Sequence, residues 1–247
     1  MSLNGALGNA PYEKKIKRKI MKLSIVLPIR KGSQRVKNKN IRPFSKEGKS
    51  LTELKITELL KLKNVDEIVI TSNYDEAIEQ IEAIAKNDPR VKIDQRAEYL
   101  CSSTTIVREL IEYMPSITSG EHILWLHVTS PFVKAQDYQD AIDKYFEALK
   151  NGHDSIMSVT EIKQFLWSDR SKKIINIEQS DNPWVQTQDL EPLYEINHAF
   201  YINSRANYLS MSDRIGKNPY LYKLKGSKVI DIDYEDDFEL AKKIYDS

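Results

Sequence analysis

The chain has 247 residues, of which 40% are hydrophobic and 30% are charged, and its formal net charge is +1 at pH 7. This composition is typical of a globular protein with one sizeable domain, and the charge gives no reason to expect nucleic acid or an anionic membrane as a partner. No apolar run approaches the roughly 20 residues that span a bilayer. A single cysteine, Cys101, excludes an intrachain disulfide and a cysteine metal site, so we expect a cytoplasmic protein.

Residues 1–21 differ in character from the rest of the chain. They begin with a stretch typical of an expression tag and then carry a cluster of cations: Lys14, Lys15, Lys17, Arg18 and Lys19. We predict a flexible basic arm for residues 1–21 and one folded domain for residues 22–247.

Strand-like and helix-like patterns alternate along the first part of this domain. Apolar or β-branched runs predict strands at residues 23–27, 67–71, 91–93, 122–128 and 155–160. Apolar spacings of three and four predict helices at 51–63, 75–86, 104–113 and 137–150, the last capped by Asp137. Strands at 199–203 and 221–224 and a helix at 235–245 follow. The order predicts an α/β fold with a mostly parallel twisted sheet and helices on both faces.

The stretch 161–198 interrupts this alternation. It is rich in polar residues, with Trp167 and Trp184 among them, and it predicts a small inserted arm of irregular strands or a hairpin. Exposed aromatic residues on an arm are typical of a protein contact. The alternative is that these rings pack onto the same domain.

A basic loop follows the first predicted strand. After Pro28 the chain reads Ile-Arg-Lys-Gly-Ser-Gln-Arg-Val-Lys-Asn-Lys-Asn-Ile, with five cations and one glycine, Gly32. Backbone N–H groups of such a loop, together with Arg and Lys side chains, can surround phosphate oxygens. The loop is neither a Walker motif nor a dinucleotide-binding fingerprint, because it lacks both glycine patterns. The alternative interpretation is a solvated basic turn.

This loop resembles the signature loop of the acylneuraminate (sugar-acid) cytidylyltransferases, which reads Pro-Ala-Arg-x-Gly-Ser-Lys-x-Ile-Pro-x-Lys-Asn-Ile. Seven positions match in register: Pro28, Arg30, Gly32, Ser33, Lys39, Asn40 and Ile41. Gln34 replaces the first lysine of the motif, and Arg35 beside it can supply the lost charge. The resemblance implies that Arg30, Ser33 and Lys39 contact the phosphates of CTP and that Asn40 contacts its ribose or base.

A second match lies near the carboxyl end of the chain. Residues 231–237 read Asp-Ile-Asp-Tyr-Glu-Asp-Asp, similar to the family's terminal Asp-Ile-Asp-x-Glu-Glu-Asp. Side chains alternate along a strand, so Asp231 and Asp233 would present two carboxylates on one face, a set that suits Mg²⁺ with substrate phosphates. The resemblance implies that these two aspartates hold the magnesium ion.

Residues 126–132, Leu-His-Val-Thr-Ser-Pro-Phe, resemble the family's Leu-Gln-Pro-Thr-Ser-Pro-Leu, which lines the sugar pocket. The resemblance implies sugar contacts from His127, Thr129 and Ser130. His127 stands where the family has glutamine, and Val133 stands where it has arginine, so the identity of the sugar is left open. The alternative for His127 is a hydrogen-bonded core histidine.

Two further segments are similar to the family. Arg96 and Ser102 lie in a segment that contacts the nucleotide in relatives, although Ser103 stands where an aspartate is usual. Residues 188–197 resemble the arm by which relatives dimerise and reach into the partner's active site. The resemblance implies that Gln188 and Tyr194 contact the sugar.

Together these matches imply a Rossmann-like nucleotidyltransferase that works as a homodimer. The implied reaction transfers CMP from CTP to the anomeric hydroxyl of an eight- or nine-carbon 2-keto-3-deoxy sugar acid with Mg²⁺, and pyrophosphate leaves. The implied catalytic residues are Arg30, Lys39, Asp231 and Asp233. Two alternatives stay open: a glycosyltransferase that uses a nucleotide sugar, and a non-catalytic nucleotide-binding protein on the same fold.

Overall fold

Seven of the strands form one twisted sheet. The structure is a computed structural model that describes residues 22–102, 104–177 and 184–247, so the predicted arm at 1–21 and Ser103 lie outside the described residues. The sheet order is β3-β2-β1-β4-β8-β5-β9, and β8 runs antiparallel to both of its neighbours while the other pairings are parallel. The strands are β1 (Leu23–Ile29), β2 (Glu67–Ser72), β3 (Val91–Gln95), β4 (His122–Leu126), β5 (Ser155–Ile162), β8 (Leu193–Ser204) and β9 (Pro219–Leu224). The prediction of a mostly parallel sheet is confirmed.

Helices cover both faces of this sheet. They are α1 (Leu51–Leu60), α2 (Asp75–Ala85), α3 (Val107–Ile117), α4 (Ala135–Lys150), α5 (Arg205–Met211) and α6 (Glu235–Tyr245). Side chains of β1 alternate between two cores: Ile25 and Leu27 pack with α1, α2, α4 and α6, whereas Val26 packs with α3 and α5. Among the described residues, no helix is long and apolar enough to cross a bilayer.

The predicted helix at 104–113 is shifted toward the carboxyl end, since α3 begins only at Val107. The hydroxyls of the two preceding threonines form a local turn instead: Thr104 Oγ1 lies 2.8 Å from Ser102 Oγ, and Thr105 Oγ1 donates to the Tyr99 carbonyl at 2.7 Å. Short hydroxyl side chains compete with helical backbone bonds in this way. Helix α5 was not predicted.

Helix α4 also begins earlier than predicted. Ala135 is its first residue, and Asp137 lies inside its first turn, where its carboxylate accepts a hydrogen bond from the Lys134 N–H at 3.0 Å. Asp137 therefore does not occupy the cap position, although it satisfies one of the free N–H groups at this end of the helix.

The predicted insertion at 161–198 is partly sheet. Strand β5 extends to Ile162 and β8 begins at Leu193, so the segment that leaves the sheet lies between residues 163 and 192. That segment contains a small antiparallel hairpin, β6 (Trp167–Ser168) with β7 (Lys173–Ile174), as the arm interpretation expects. We call the described part of residues 163–192 the arm.

Candidate active site

A cleft of about 350 Å³ opens at the carboxyl ends of β1 and β4, where ligands bind in parallel α/β sheets. Six of the residues that line it were predicted as site residues, and they lie together although they come from distant parts of the chain: Arg30, Arg96, His127, Thr129, Asp231 and Asp233. The remaining lining residues are Pro28, Val107, Leu110, Trp125, His198 and Arg214.

The basic loop folds against the terminal aspartates. Arg35 forms an ion pair with Asp233 at 2.7 Å, and the Lys39 ammonium lies 3.9 Å from the same carboxylate and donates to the Ile232 carbonyl. Lys39 is buried, and burial lowers the pKa of its ammonium below the ordinary value. The loop also needs positive φ at Gly32 (+80°), a conformation that glycine adopts without a steric cost. The structure thus brings together the basic loop and the terminal aspartates, which are 198 positions apart at Arg35 and Asp233.

One oxygen of the Asp231 carboxylate is suited to bind a metal ion. Its Oδ1 atom is buried and has no hydrogen-bond partner among the residues that the structure describes, and burial raises the pKa of this carboxyl above its ordinary value. A buried polar atom without a partner is costly in a native structure and is common where an ion binds. No set of three or more His, Cys, Asp or Glu side chains suited to a metal exists among residues 22–102, 104–177 and 184–247. Two carboxylates that leave positions for phosphate oxygens fit Mg²⁺.

Other residues that the resemblance predicts to bind the nucleotide lie at or near the cleft. Arg96 is buried and lines the cleft. One nitrogen of its guanidinium donates a hydrogen bond to the Ile29 carbonyl at 2.9 Å. Asn40 is also buried, and its Oδ1 atom has no hydrogen-bond partner in the described part of the chain. Ser33 lies half-buried on the loop, and the Ser102 hydroxyl bonds to its neighbours Thr104 and Thr105 rather than facing the cleft wall.

His127 is held by two hydrogen bonds within the chain. Its Nε2 accepts from the Trp125 indole at 2.9 Å, and its Nδ1 donates to the His198 carbonyl at 2.6 Å. Burial, and then the nearby Arg214 cation, lower the pKa of His127 to about 3, so the ring is neutral near pH 7. His127 therefore shows the features of both interpretations: it lines the cleft and it is a hydrogen-bonded core histidine.

Thr129 and Ser130 differ in their exposure. Thr129 lines the cleft, and its hydroxyl favours the charged form of the Asp231 carboxyl beside it. Ser130 is only 1% exposed and lies beneath the wall, with its carbonyl bonded to the Lys55 ammonium at 2.8 Å. Ser130 can therefore support the wall but does not face the cleft in this conformation.

Gln188 and Tyr194 are not among the residues that line the cleft of their own chain. Gln188 is exposed and donates to the Gln186 side chain at 2.7 Å, and the Tyr194 ring lies 4.9 Å from the Lys223 ammonium. A contact from these residues with sugar requires the cleft of a second chain, as the arm interpretation holds, and it stays a prediction.

Two of the lining residues that were not predicted, His198 and Arg214, carry titratable or charged side chains. His198 lies in a bulge of β8, because the pairing with β5 jumps from Met157–Tyr201 to Val159–Ile196 and leaves three extra residues in β8. Its backbone is left-handed, with φ of +58°. Bulges beside active sites re-aim side chains in this way, and periodicity in sequence does not reveal them.

Known proteins are similar to this chain over most of its length. The family model described as Cytidylyltransferase matches residues 24–245. The chain is 26% identical to pseudaminic acid cytidylyltransferase of Campylobacter jejuni over 91% of this chain and 97% of that protein. It is 24% identical to N-acylneuraminate cytidylyltransferase of Streptococcus agalactiae over 88% of this chain and 52% of that protein.

The fold has solved counterparts as well. The structure of 4-diphosphocytidyl-2C-methyl-D-erythritol synthase from Anaerococcus prevotii matches with a TM-score of 0.62 at 14% identity, over 92% of this chain and 96% of that one. The family match favours a nucleotidyltransferase enzyme over the glycosyltransferase and non-catalytic alternatives. From the family match over residues 24–245, and from the signature loop and terminal aspartates that meet at one cleft, this chain belongs to the cytidylyltransferase family.

Proposed function

We propose that this enzyme transfers CMP from CTP to the anomeric hydroxyl of a 2-keto-3-deoxy sugar acid of eight or nine carbons and releases pyrophosphate. The observation that carries the proposal is the meeting of Arg35 and Lys39 with Asp233 beside the partnerless Asp231 Oδ1 atom. The names of two relatives, which act on pseudaminic acid and N-acylneuraminate, support a sugar acid as acceptor.

The cations of the basic loop would bind the triphosphate. Arg30 lines the cleft, and Arg35 and Lys39 lie at its acidic edge, so together they can neutralise phosphate charge and hold the α-phosphorus in position. Arg96 and Asn40 would contact the ribose and base. The acceptor hydroxyl forms the new O–P bond at the α-phosphorus, the bond to the bridging oxygen breaks, pyrophosphate takes that electron pair, and the hydroxyl proton passes to water. Positioning and electrostatic stabilisation supply most of the catalysis in such transfers.

Asp231 and Asp233 would hold Mg²⁺. The ion would balance the negative charge of the phosphates and polarise the reacting oxygens. Arg35 and Lys39 pair with Asp233, so the basic loop that would bind the phosphates lies directly beside the carboxylates that would hold the ion.

Pyrophosphate release tests the reaction. Purified enzyme is incubated with CTP and MgCl₂ and a panel of acceptors: N-acetylneuraminic, legionaminic, pseudaminic and 3-deoxy-manno-octulosonic acids. We expect release with one or more acids and a loss of about 100-fold or more in kcat/KM for Asp233→Asn. Asp236→Asn is the matched control, since Asp236 is exposed in the first turn of α6 and should keep wild-type turnover. Equal turnover by the two variants would refute the assignment of Asp233.

We also propose that the enzyme works as a homodimer through the arm. Trp167 and Ile175 are 62% and 46% exposed on the β6–β7 hairpin region, an arrangement that favours a contact with another chain. In this dimer Gln188 and Tyr194 would complete the partner's sugar site.

A further inference from the structure

Arg214 is a fixed cation on the wall formed by β4 and β8. It follows α5 and is half-buried, and its guanidinium lies 5.1 Å from the centroid of the Trp125 ring and 4.2 Å from that of the Tyr201 ring. Both rings are buried, at 1% and 0% exposure. Cation–π contacts with two rigid rings hold the guanidinium in one place at the edge of the cleft.

The charge of Arg214 is not neutralised by a paired carboxylate. No ion pair joins it to an acidic side chain in the described part of the chain, whereas Arg35, Arg42 and Arg90 each have one. On this wall the guanidinium faces the Tyr201 hydroxyl, with which it shares a hydrogen bond, the neutral His127 ring, whose two nitrogens are both engaged, and His198, whose Nδ1 lies 2.6 Å from the same hydroxyl. A half-buried cation among engaged neutral groups has donors available for an anionic ligand.

This cation lies apart from the phosphate-binding cations. Arg30 and Lys39 belong to the loop after β1, whereas Arg214 stacks on residues of β4 and β8. Because β4 lies between β1 and β8 and neighbouring strands are about 4.8 Å apart, β1 and β8 are separated by about 10 Å. Asp231 and Asp233 line the same cleft. The cleft thus has cations on two sides: Arg30 and Arg96 beside the end of β1, and Arg214 on the wall formed by β4 and β8.

We propose that Arg214 binds the carboxylate of the sugar acid and so selects acidic acceptors. A guanidinium presents paired N–H donors that match a carboxylate, and its stacking on Trp125 and Tyr201 orients that fork toward the cleft. This inference rests on the proposed function, because it assigns the acceptor's anionic group to a residue of the same cleft.

Steady-state kinetics separate this role from a structural one. With the acid that the wild-type enzyme uses best, Arg214→Met is expected to raise the acceptor KM by about tenfold to a hundredfold, the usual worth of a charged hydrogen-bonded contact. The KM for CTP should stay within about twofold of wild type, since the phosphates bind elsewhere. The acceptor KM of Arg214→Lys should lie between those of wild type and Arg214→Met, because lysine keeps the charge but lacks the paired N–H donors of the guanidinium. Lys217→Met, an exposed cation of the same loop, is the matched control.

A second experiment uses an acceptor in which the C1 carboxylate is replaced by an uncharged group. The C1 carboxamide of the same sugar should be a poor acceptor for wild type, and Arg214→Met should discriminate little between acid and carboxamide. Far-UV circular dichroism and CTP binding report whether each variant is folded. An unchanged acceptor KM in folded Arg214→Met, or a parallel rise in the KM for CTP, overturns the assignment of Arg214 alone. If wild type releases pyrophosphate with no acid of the panel, the proposed function fails and this inference fails with it.

Discussion

Lys55 is a buried base that supports the wall of the active site. It is 2% exposed, and its Nζ atom lies 2.8 Å from the Ser130 carbonyl, 3.4 Å from the Val133 carbonyl and 2.6 Å from the Tyr138 hydroxyl. These contacts tie α1 to the loop after β4 that carries Thr129. Burial, and then repulsion by Lys134, lower the pKa of Lys55 to about 7. The residue therefore titrates in the folded protein near neutral pH.

This depressed pKa predicts a pH-dependent stability. In the unfolded chain Lys55 has its ordinary pKa near 10.4, so between pH 7 and that value the unfolded state binds the extra proton. The contribution of Lys55 to the free energy of unfolding should therefore rise with pH, by up to about 1.4 kcal/mol for each pH unit. Urea unfolding of wild type and Lys55→Met at pH 7, 8 and 9 measures this contribution. As the pH rises, the free energy of unfolding of wild type should increase relative to that of the variant. Parallel curves would show that Lys55 keeps its ordinary pKa.

Some residues of the site could be found from a sequence pattern, and others could not. Lys39, Asp231 and Asp233 belong to contiguous motifs with recognisable spacing, and the structure brings them together. Arg214 belongs to no motif, because its place depends on two aromatic rings from β4 and β8 that meet only in the folded sheet. The engagement of both His127 nitrogens likewise depends on a carbonyl 71 residues away.

At the scale of elements, the bulge in β8 is the feature that shapes the wall. Three extra residues opposite Ser158 let the Phe200 N–H bond to the Ser158 hydroxyl at 3.0 Å and place the His198 carbonyl beside His127. A strand was predicted at 199–203, and β8 contains these residues. It could not show where the register shifts or that β8 runs antiparallel, because period-two patterns are the same in either direction.

The left-handed backbone at His198 gives a test of this bulge. At φ of +58° glycine is favoured over alanine by about 1 kcal/mol, whereas in a regular strand alanine is favoured over glycine. We therefore expect His198→Gly to have a larger free energy of unfolding than His198→Ala, measured by urea denaturation. The Asn203 position in the regular part of β8 serves as control, where Asn203→Ala should be more stable than Asn203→Gly. If alanine is preferred at both positions, residue 198 lies in extended backbone.

At the scale of the whole molecule, the proposed dimer would make the site depend on two chains. Gln188 and Tyr194 are not among the residues that line their own cleft, and Trp167 is exposed on the hairpin. We expect Trp167→Glu to lower the molar mass in light scattering from dimer to monomer. Leu240→Glu, at a similarly exposed apolar residue on α6 (55% exposed), should leave the mass unchanged. A wild-type monomer across micromolar concentrations would contradict the dimer.

Mixing two inactive variants shows which chain supplies Tyr194. If Tyr194 acts in the partner's cleft, a heterodimer of Asp233→Asn and Tyr194→Ala has both defects in one cleft and none in the other, so the mixture should recover pyrophosphate release after subunit exchange. If Tyr194 acts in its own chain's cleft, each cleft of the heterodimer keeps one defect and no activity returns. Asp233→Asn mixed with Asp231→Asn is the control, because these carboxylates line the cleft of their own chain and every mixed dimer stays inactive. Recovery in the first mixture alone would establish that Tyr194, next to the arm at the start of β8, completes the neighbouring site.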